Sequence, residues 1–330
     1  MKIPAPIVDF AKRSVLLRNV AYAAYGLYWK YRTRRDLARI YGKSPRFVGA
    51  VEGFRVPTLE AIESQLCTAA QCLEPRYRFW CDEMRSPARL GRKQWEFVYI
   101  FEALSQKGKL TKNQKGLGFG CGREPLPAIF AKYGCTVVAT DLKTEEAQIK
   151  GWVHTEQHAS TLQGLNSQRL CDPTLFDDQV SFEFADMNQI SESHFGKFDF
   201  VWSACALEHL GSIQHGLDFV IHSMDCLKPG GVAVHTTEFN LSSDTDTLED
   251  PGCVLFRRQD MLKLQGELEM LGYIVSPYNF NPGQDPVDTH IDAPPYAASP
   301  HLKLQLGRYV TTSIGLIVQK PSCAPSSLQN

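Results

Sequence analysis

From residue 115 onward, short apolar runs alternate with longer amphipathic stretches. The runs at 115–119, 135–140, 180–185, 198–203, 230–237, 272–280 and 309–319 have the length and β-branched or aromatic content of strands. Helical segments fall between most of them, the clearest being Leu126 to Tyr133. This alternation predicts a mostly parallel sheet with helices on both faces. The last two runs are joined by a Pro-rich stretch with no clear helix, which fits an antiparallel strand at one end of the sheet. The expected fold class is α/β, a Rossmann-like, doubly wound sheet of seven strands.

The first ninety residues read differently. Val8 to Tyr31 is rich in Ala, Leu and aromatics without strand alternation, and Thr33 to Tyr41 continues as a basic helical turn or two. Leu59, Ile62, Leu66 and Ala70 recur every three to four residues, which predicts an amphipathic helix over 58–73. Trp95 to Leu104 reads as a helix leading into the main domain. We divide the chain into a helical cap at 1–92, a catalytic domain at 93–320 and a disordered tail at 321–330, where Pro and Ser accumulate.

Charge adds one asymmetry. The formal net charge of −1 gives no case for a nucleic-acid partner, yet residues 1–50 carry eleven Lys/Arg against only Asp9 and Asp36. That segment suits either a solvated or packed face, or peripheral contact with an anionic membrane through residues 1–50. The apolar stretch Val15 to Trp29 is too short to span a bilayer. The ten cysteines form no CxxC pair, which points to a reducing, cytoplasmic setting, at the inner face of the membrane if the basic segment docks there, and to no metal site.

Candidate chemistry begins at GFGCGREP, residues 118–125, which ends the first strand and opens a helix. Small residues there let the backbone turn tightly and approach a ligand, and the helix start offers free N–H groups. Asp141 ends the next strand, where an acid accepts ribose hydroxyls or caps the following helix, with Thr144 as the other cap candidate. Asp186 and Met187 end the third strand, FDFVWSACALEHL spans 198–210, and LKPGGVAVHTTEFN spans 227–240.

GCGRE, ATDL, FADM, FDFVWS with LEH behind it, and LKPGG arrive in the order seen in class I S-adenosylmethionine-dependent methyltransferases. The chain resembles that family over residues 115 to 320, in the branch with ubiquinone and menaquinone biosynthetic enzymes. The resemblance implies S-adenosyl-L-methionine as cofactor. Gly120, Gly122 and Glu124 would lie along its methionine and ribose portions, Asp141 and Leu142 at the ribose, Asp186 and Met187 at the adenine, Ser203 and Ala204 at the sulfonium. Two positions depart from the family pattern: Gly118 stands where an acid is usual, and Glu124 replaces the third glycine. Either Glu124 takes over the contact to the cofactor's amino group or recognition of that end is rearranged. An NAD-dependent dehydrogenase is the competing reading of the turn, and the KPGG and LEH segments argue against it.

Methyl transfer is an in-line displacement at carbon, so a base is needed only to take the acceptor's proton. Polar residues beyond the carboxyl ends of the strands are the candidates: Glu208 and His209 after the fourth strand, and Glu238 on the fifth. Strand alternation puts His235 and Thr237 on one face and Thr236 and Glu238 on the other, and His235 reads best as a core histidine. HIDAPPY at 290–296 adds His290 and Asp292 as pocket or lid residues, although two ligands are too few for a metal. The expected reaction is methyl transfer to an oxygen, less often a nitrogen, of a small-molecule or glycan/lipid-linked acceptor. A non-catalytic binding or scaffold protein on the same fold is the alternative.

Overall fold

The computed structural model describes residues 54–142 and 162–322. The basic segment 1–50, the helices expected at 8–31 and 33–41, Thr144 and the tail beyond residue 322 lie outside the described residues. Elements run in the order β1 (Ser64–Gln65), α1 (Ala69–Leu73), α2 (Pro75–Glu83), α3 (Arg92–Gln106), β2 (Lys115–Phe119), α4 (Leu126–Lys132), β3 (Thr136–Asp141), α5 (Pro173–Gln179), β4 (Val180–Phe184), β5 (Phe198–Ala204), α6 (Ile213–Ser223), β6 (Leu227–Asn240), β7 (Glu249–Asp250), β8 (Cys253–Val254), α7 (Arg258–Met270), β9 (Ile274–Val275), β10 (Tyr278–Asn279), β11 (Ile291–Asp292), β12 (Lys303–Leu306) and β13 (Tyr309–Gln319).

The central sheet follows the order β11-β12-β13-β6-β5-β2-β3-β4, with β9 paired to β13. Strands β2 to β6 are mutually parallel where they pair, and β13 runs antiparallel to β6 from Thr311↔Asn240 to Gln319↔Val232. This is the mostly parallel, Rossmann-like α/β sheet expected, with one correction. The antiparallel strand lies at one end of the parallel set as expected, and among the described residues the sheet has nine strands rather than seven: Gly307, at φ +61°, lets the chain fold back so that β12 pairs along β13. Of the run 272–280 only Ile274–Val275 joins this sheet, while Tyr278–Asn279 turns away to pair in parallel with β1.

Strand alternation sorts the core into two layers. Phe200, Trp202, Val232, Val234 and Ile317 face α3 and α4; Val201, Ala233, Leu316 and Val318 face α6 and α7. The first layer is close-packed. A Cβ at Gly315 would stand 2.1 Å from the Tyr99 ring, so glycine is what lets α3 settle onto β13.

The helix expected over 58–73 is not formed. Backbone N–H groups of Leu59 and Glu60 donate to the Glu74 carboxylate, Ser64–Gln65 becomes strand, and only Ala69–Leu73 is helical. Asp288 accepts the Ala69 N–H at 2.8 Å and lies 3.7 Å from the buried Lys303 ammonium, which ties this region to the far end of the sheet. The Pro-rich segment is likewise more regular than expected, with a 3-10 turn at Pro286–Thr289 and β11 behind it. Among the described residues no helix is long and apolar enough to cross a membrane.

Candidate active site

The glycine turn sits at the carboxyl end of β2. Gly120 and Gly122 have φ of +60° and +51°, the left-handed region that a side chain resists. A Cβ on Gly120 would also come within 2.9 Å of Ala206. The turn is pinned from β3: Cys121 N–H donates to Thr140 O at 2.9 Å, and the Thr140 hydroxyl donates to Gly118 O at 2.8 Å. Asp141 accepts from Gly122 N–H at 3.2 Å and Leu142 N–H at 2.8 Å, so its carboxylate stands directly over the turn.

Two hollows meet at Gly120 and Asp141. The larger, about 300 Å³, is lined by Gly120 to Glu124, Asp141, Ala204 and Cys205, with Lys93 and Phe97 of α3 on its other wall. The narrower one is lined by Leu142, Asp186, Met187 and His209 among others. Of the expected cofactor residues, Ser203 alone is turned away. Alternation puts Trp202 and Ala204 on the α3 side, so the Ser203 hydroxyl points into the other layer and meets His235 Nδ1 at 2.8 Å. His235 is buried, also meets Ser223 at 3.3 Å, and burial lowers its pKa to about 3.

The departures at Gly118 and Glu124 both meet Trp202. A Cβ at Gly118 would fall 2.2 Å from the Trp202 ring, so the indole fills the space beside that position. Its Nε1–H donates to Glu124 Oε1 at 2.8 Å, fixing a buried carboxyl in the wall of the larger hollow. Burial pushes the Glu124 pKa up to about 8, against the opposing pull of the Trp202 N–H and Lys93. Lys93, exposed along its stem, turns its ammonium inward to Ala204 O at 3.1 Å and Glu96 at 3.2 Å.

Behind the wall formed by Ala204 and Cys205 lies a polar cluster that the sequence reading only partly anticipated. Arg92 reaches Glu96 at 3.3 Å, Ser313 at 3.4 Å and the Cys205 sulfur at 3.8 Å, and its other nitrogen pairs with Glu238. Thr311 donates to Glu238 at 2.7 Å and Thr237 donates to Glu208 at 2.9 Å. Ligand atoms of Cys205, Glu208 and Glu238 lie within 4.8 Å of one another. Burial outweighs Arg92 and raises the Glu238 pKa, whereas at Glu96 the neighbouring Lys93 and Arg92 overcome burial and hold it below the usual range. Burial, with Glu208 and Glu96 next, keeps the Cys205 thiol protonated. Cys205 itself has φ +49°, backbone strain at the strand end beside the hollow.

The structure therefore brings Glu208 and Glu238 together, with Cys205 beside them. His209 lies at the narrower hollow with Nδ1 2.7 Å from Gly252 O. His290 is exposed at the end of the 3-10 turn and lines neither hollow, because the partner of Asp292 is His301, at 2.7 Å, and not its near neighbour. Arg92, Lys93, Glu96, Phe97, Trp202 and Cys205 were not anticipated. The available signal was a basic pair opening a helix that is otherwise buried.

A family model for the methyltransferase domain matches residues 92–295, more than half of the chain. The chain belongs to this methyltransferase family. It is a methyltransferase, and S-adenosylmethionine is its methyl donor. Among solved structures, the methyltransferase resembles one from Galdieria sulphuraria at 13% identity, over 76% of this chain and 99% of that one, with a TM-score of 0.46. It also resembles an S-adenosylmethionine-dependent methyltransferase from Methanosarcina mazei (13%, 66% and 97%, TM-score 0.41) and the magnesium protoporphyrin IX methyltransferase of Synechocystis (13%, 91% and 99%, TM-score 0.40). A search of curated proteins finds no match.

Proposed function

We propose that this methyltransferase transfers the methyl group to an oxygen, less often a nitrogen, of a small molecule or a glycan or lipid-linked sugar. The observation that carries the reading is the Glu208–Glu238 pair at the strand ends, beside Cys205 and the larger hollow. An acceptor hydroxyl must lose its proton as its oxygen bonds to carbon, and a buried carboxyl whose pKa burial has raised is a stronger base to take it. Arg92 and Thr311 orient Glu238 for that step, which makes Glu238 the base and Glu208 its neighbour in the same cluster.

At the cofactor, Asp141 accepts the ribose hydroxyls, Leu142, Asp186 and Met187 flank the adenine, and Gly120 and Gly122 allow close approach. Glu124 receives the amino group and Lys93 the carboxylate of the methionine portion. His209, on the nucleoside side, helps close that hollow. The LEH segment groups the chain with the quinone-biosynthetic branch of the family. The test is uptake of tritiated methyl label into cell extract fractionated into lipid, glycan, small-molecule, protein and RNA pools. Label in a lipid, glycan or small-molecule pool is expected, and label confined to protein or RNA contradicts the reading.

A further inference from the structure

Arg257 and Arg258 open α7 side by side and end in opposite situations. Arg257 closes its fork on Asp260, with Nε–Oδ2 and Nη2–Oδ1 distances of 2.8 and 2.9 Å. Arg258 makes no hydrogen bond or ion pair among the described residues, and its Nε is buried without a partner. Its guanidinium instead lies 5.3 Å from the Phe280 ring centre and 6.0 Å from that of Phe54. Guanidinium groups stacked on rings commonly keep their N–H fork for a planar oxyanion.

That fork borders a hollow of about 150 Å³, distinct from the two at the glycine turn. Its floor is apolar: Phe239, Leu241, Phe280 and Pro282, with Phe239 and Phe280 stacked at 5.6 Å and an interplanar angle of 25°. The other polar groups in its wall are already engaged. Asn240 accepts from Ser242 N–H and donates to Asp246 O, and the exposed Asp244 accepts from Gln259 N–H at 2.8 Å. An unpaired cation over an aromatic floor disfavours an amine through charge. A neutral hydrocarbon would leave the guanidinium desolvated and unmatched.

We propose that this hollow binds the acidic group and flat or apolar body of the methyl acceptor, a carboxylate or phosphate ester held by Arg258. The assignment to the acceptor rests on the methyl-transfer reading above. It follows from position: β6 runs two residues past Glu238 to Asn240, and the hollow lies over that strand end on the face of Phe239, so an acceptor held there reaches the base round the end of the strand.

Phenyl phosphate is the probe, titrated into the full chain and followed by ligand-observed NMR. It binds the wild type, Arg258→Ala weakens it about tenfold or more, and Arg258→Lys retains part of the affinity. Phenol, which keeps the ring and loses the charge, binds about tenfold more weakly than phenyl phosphate. Affinity for S-adenosylmethionine stays the same in both variants, which also shows that they are folded. Equal affinity of wild type and Arg258→Ala, or of phenol and phenyl phosphate, overturns the site. Phenyl phosphate also inhibits label transfer into extract. Arg258-dependent binding without inhibition overturns the acceptor assignment, whereas loss of cofactor binding in the wild type strikes the methyl-transfer reading and not this one.

Discussion

Glu124 shows how a single residue can work against the fold that carries it. Its pKa is raised to about 8 by burial, so folding favours the protonated form while the unfolded chain ionises near 4.5. Stability is therefore fully present below that value and is lost as pH rises through about 8. Glu124→Gln removes the titration and keeps the shape. Urea midpoints of the cofactor-free variant should exceed those of the wild type at pH 8, with the difference vanishing near pH 4. The same variant should bind S-adenosylmethionine about tenfold more weakly, about 1.4 kcal/mol, because the cofactor's ammonium favours ionised Glu124 and a glutamine cannot ionise. A variant that gains stability and keeps full affinity would show that Glu124 does not face the cofactor.

At the scale of elements, two contacts between strand and helix can be tested. Gly315→Ala places a methyl 2.1 Å from the Tyr99 ring, which is buried and donates its hydroxyl to Glu63 O at 2.8 Å. Neither side can yield easily, so a loss of about 1–3 kcal/mol is expected in urea unfolding, and an unchanged midpoint would mean that α3 is not seated on β13. His235, between β6 and α6, carries a pH signature of the opposite sign to Glu124. Its folded pKa is depressed to about 3, so the unfolded state takes up the proton first as pH falls. Stability is complete above about 6.5 and declines by about 1.4 kcal/mol per pH unit below it. His235→Gln should flatten the stability profile between pH 7 and pH 5; an equally steep profile would assign the loss to other groups.

Across the whole molecule, what could be read in the sequence was whatever local pattern decides. Five of the seven expected strands begin or end within a residue or two of their expected bounds. Buried parallel strands are continuous apolar runs, and the turns between them need glycine or an acid at fixed places. Gly120, Gly122 and Asp141 were legible for the same reason. What failed was decided by partners distant in sequence. Leu59, Ile62 and Leu66 have helical spacing, yet Glu74 and residues 278–279 compete for that backbone and prevail. Arg92 fell before the helix expected at Trp95 to Leu104, and only the docking of α3 on β13 and β6 makes it and Glu96 the anchor of Glu238. The position of Cys205 is visible only once β5 ends beside the glycine turn. His290 and Ser203 failed by direction, since adjacency along the chain does not say which way a side chain turns.

The central claim is that the turn at Gly120 and Gly122, with Asp141 above it, holds S-adenosylmethionine. Isothermal titration of the full chain and of Asp141→Ala with the cofactor tests it most directly. Saturable binding at one site is expected, weakened at least about tenfold, or about 1.4 kcal/mol, in the variant. No heat of binding at millimolar cofactor, or unchanged affinity in a folded Asp141→Ala protein, would contradict it.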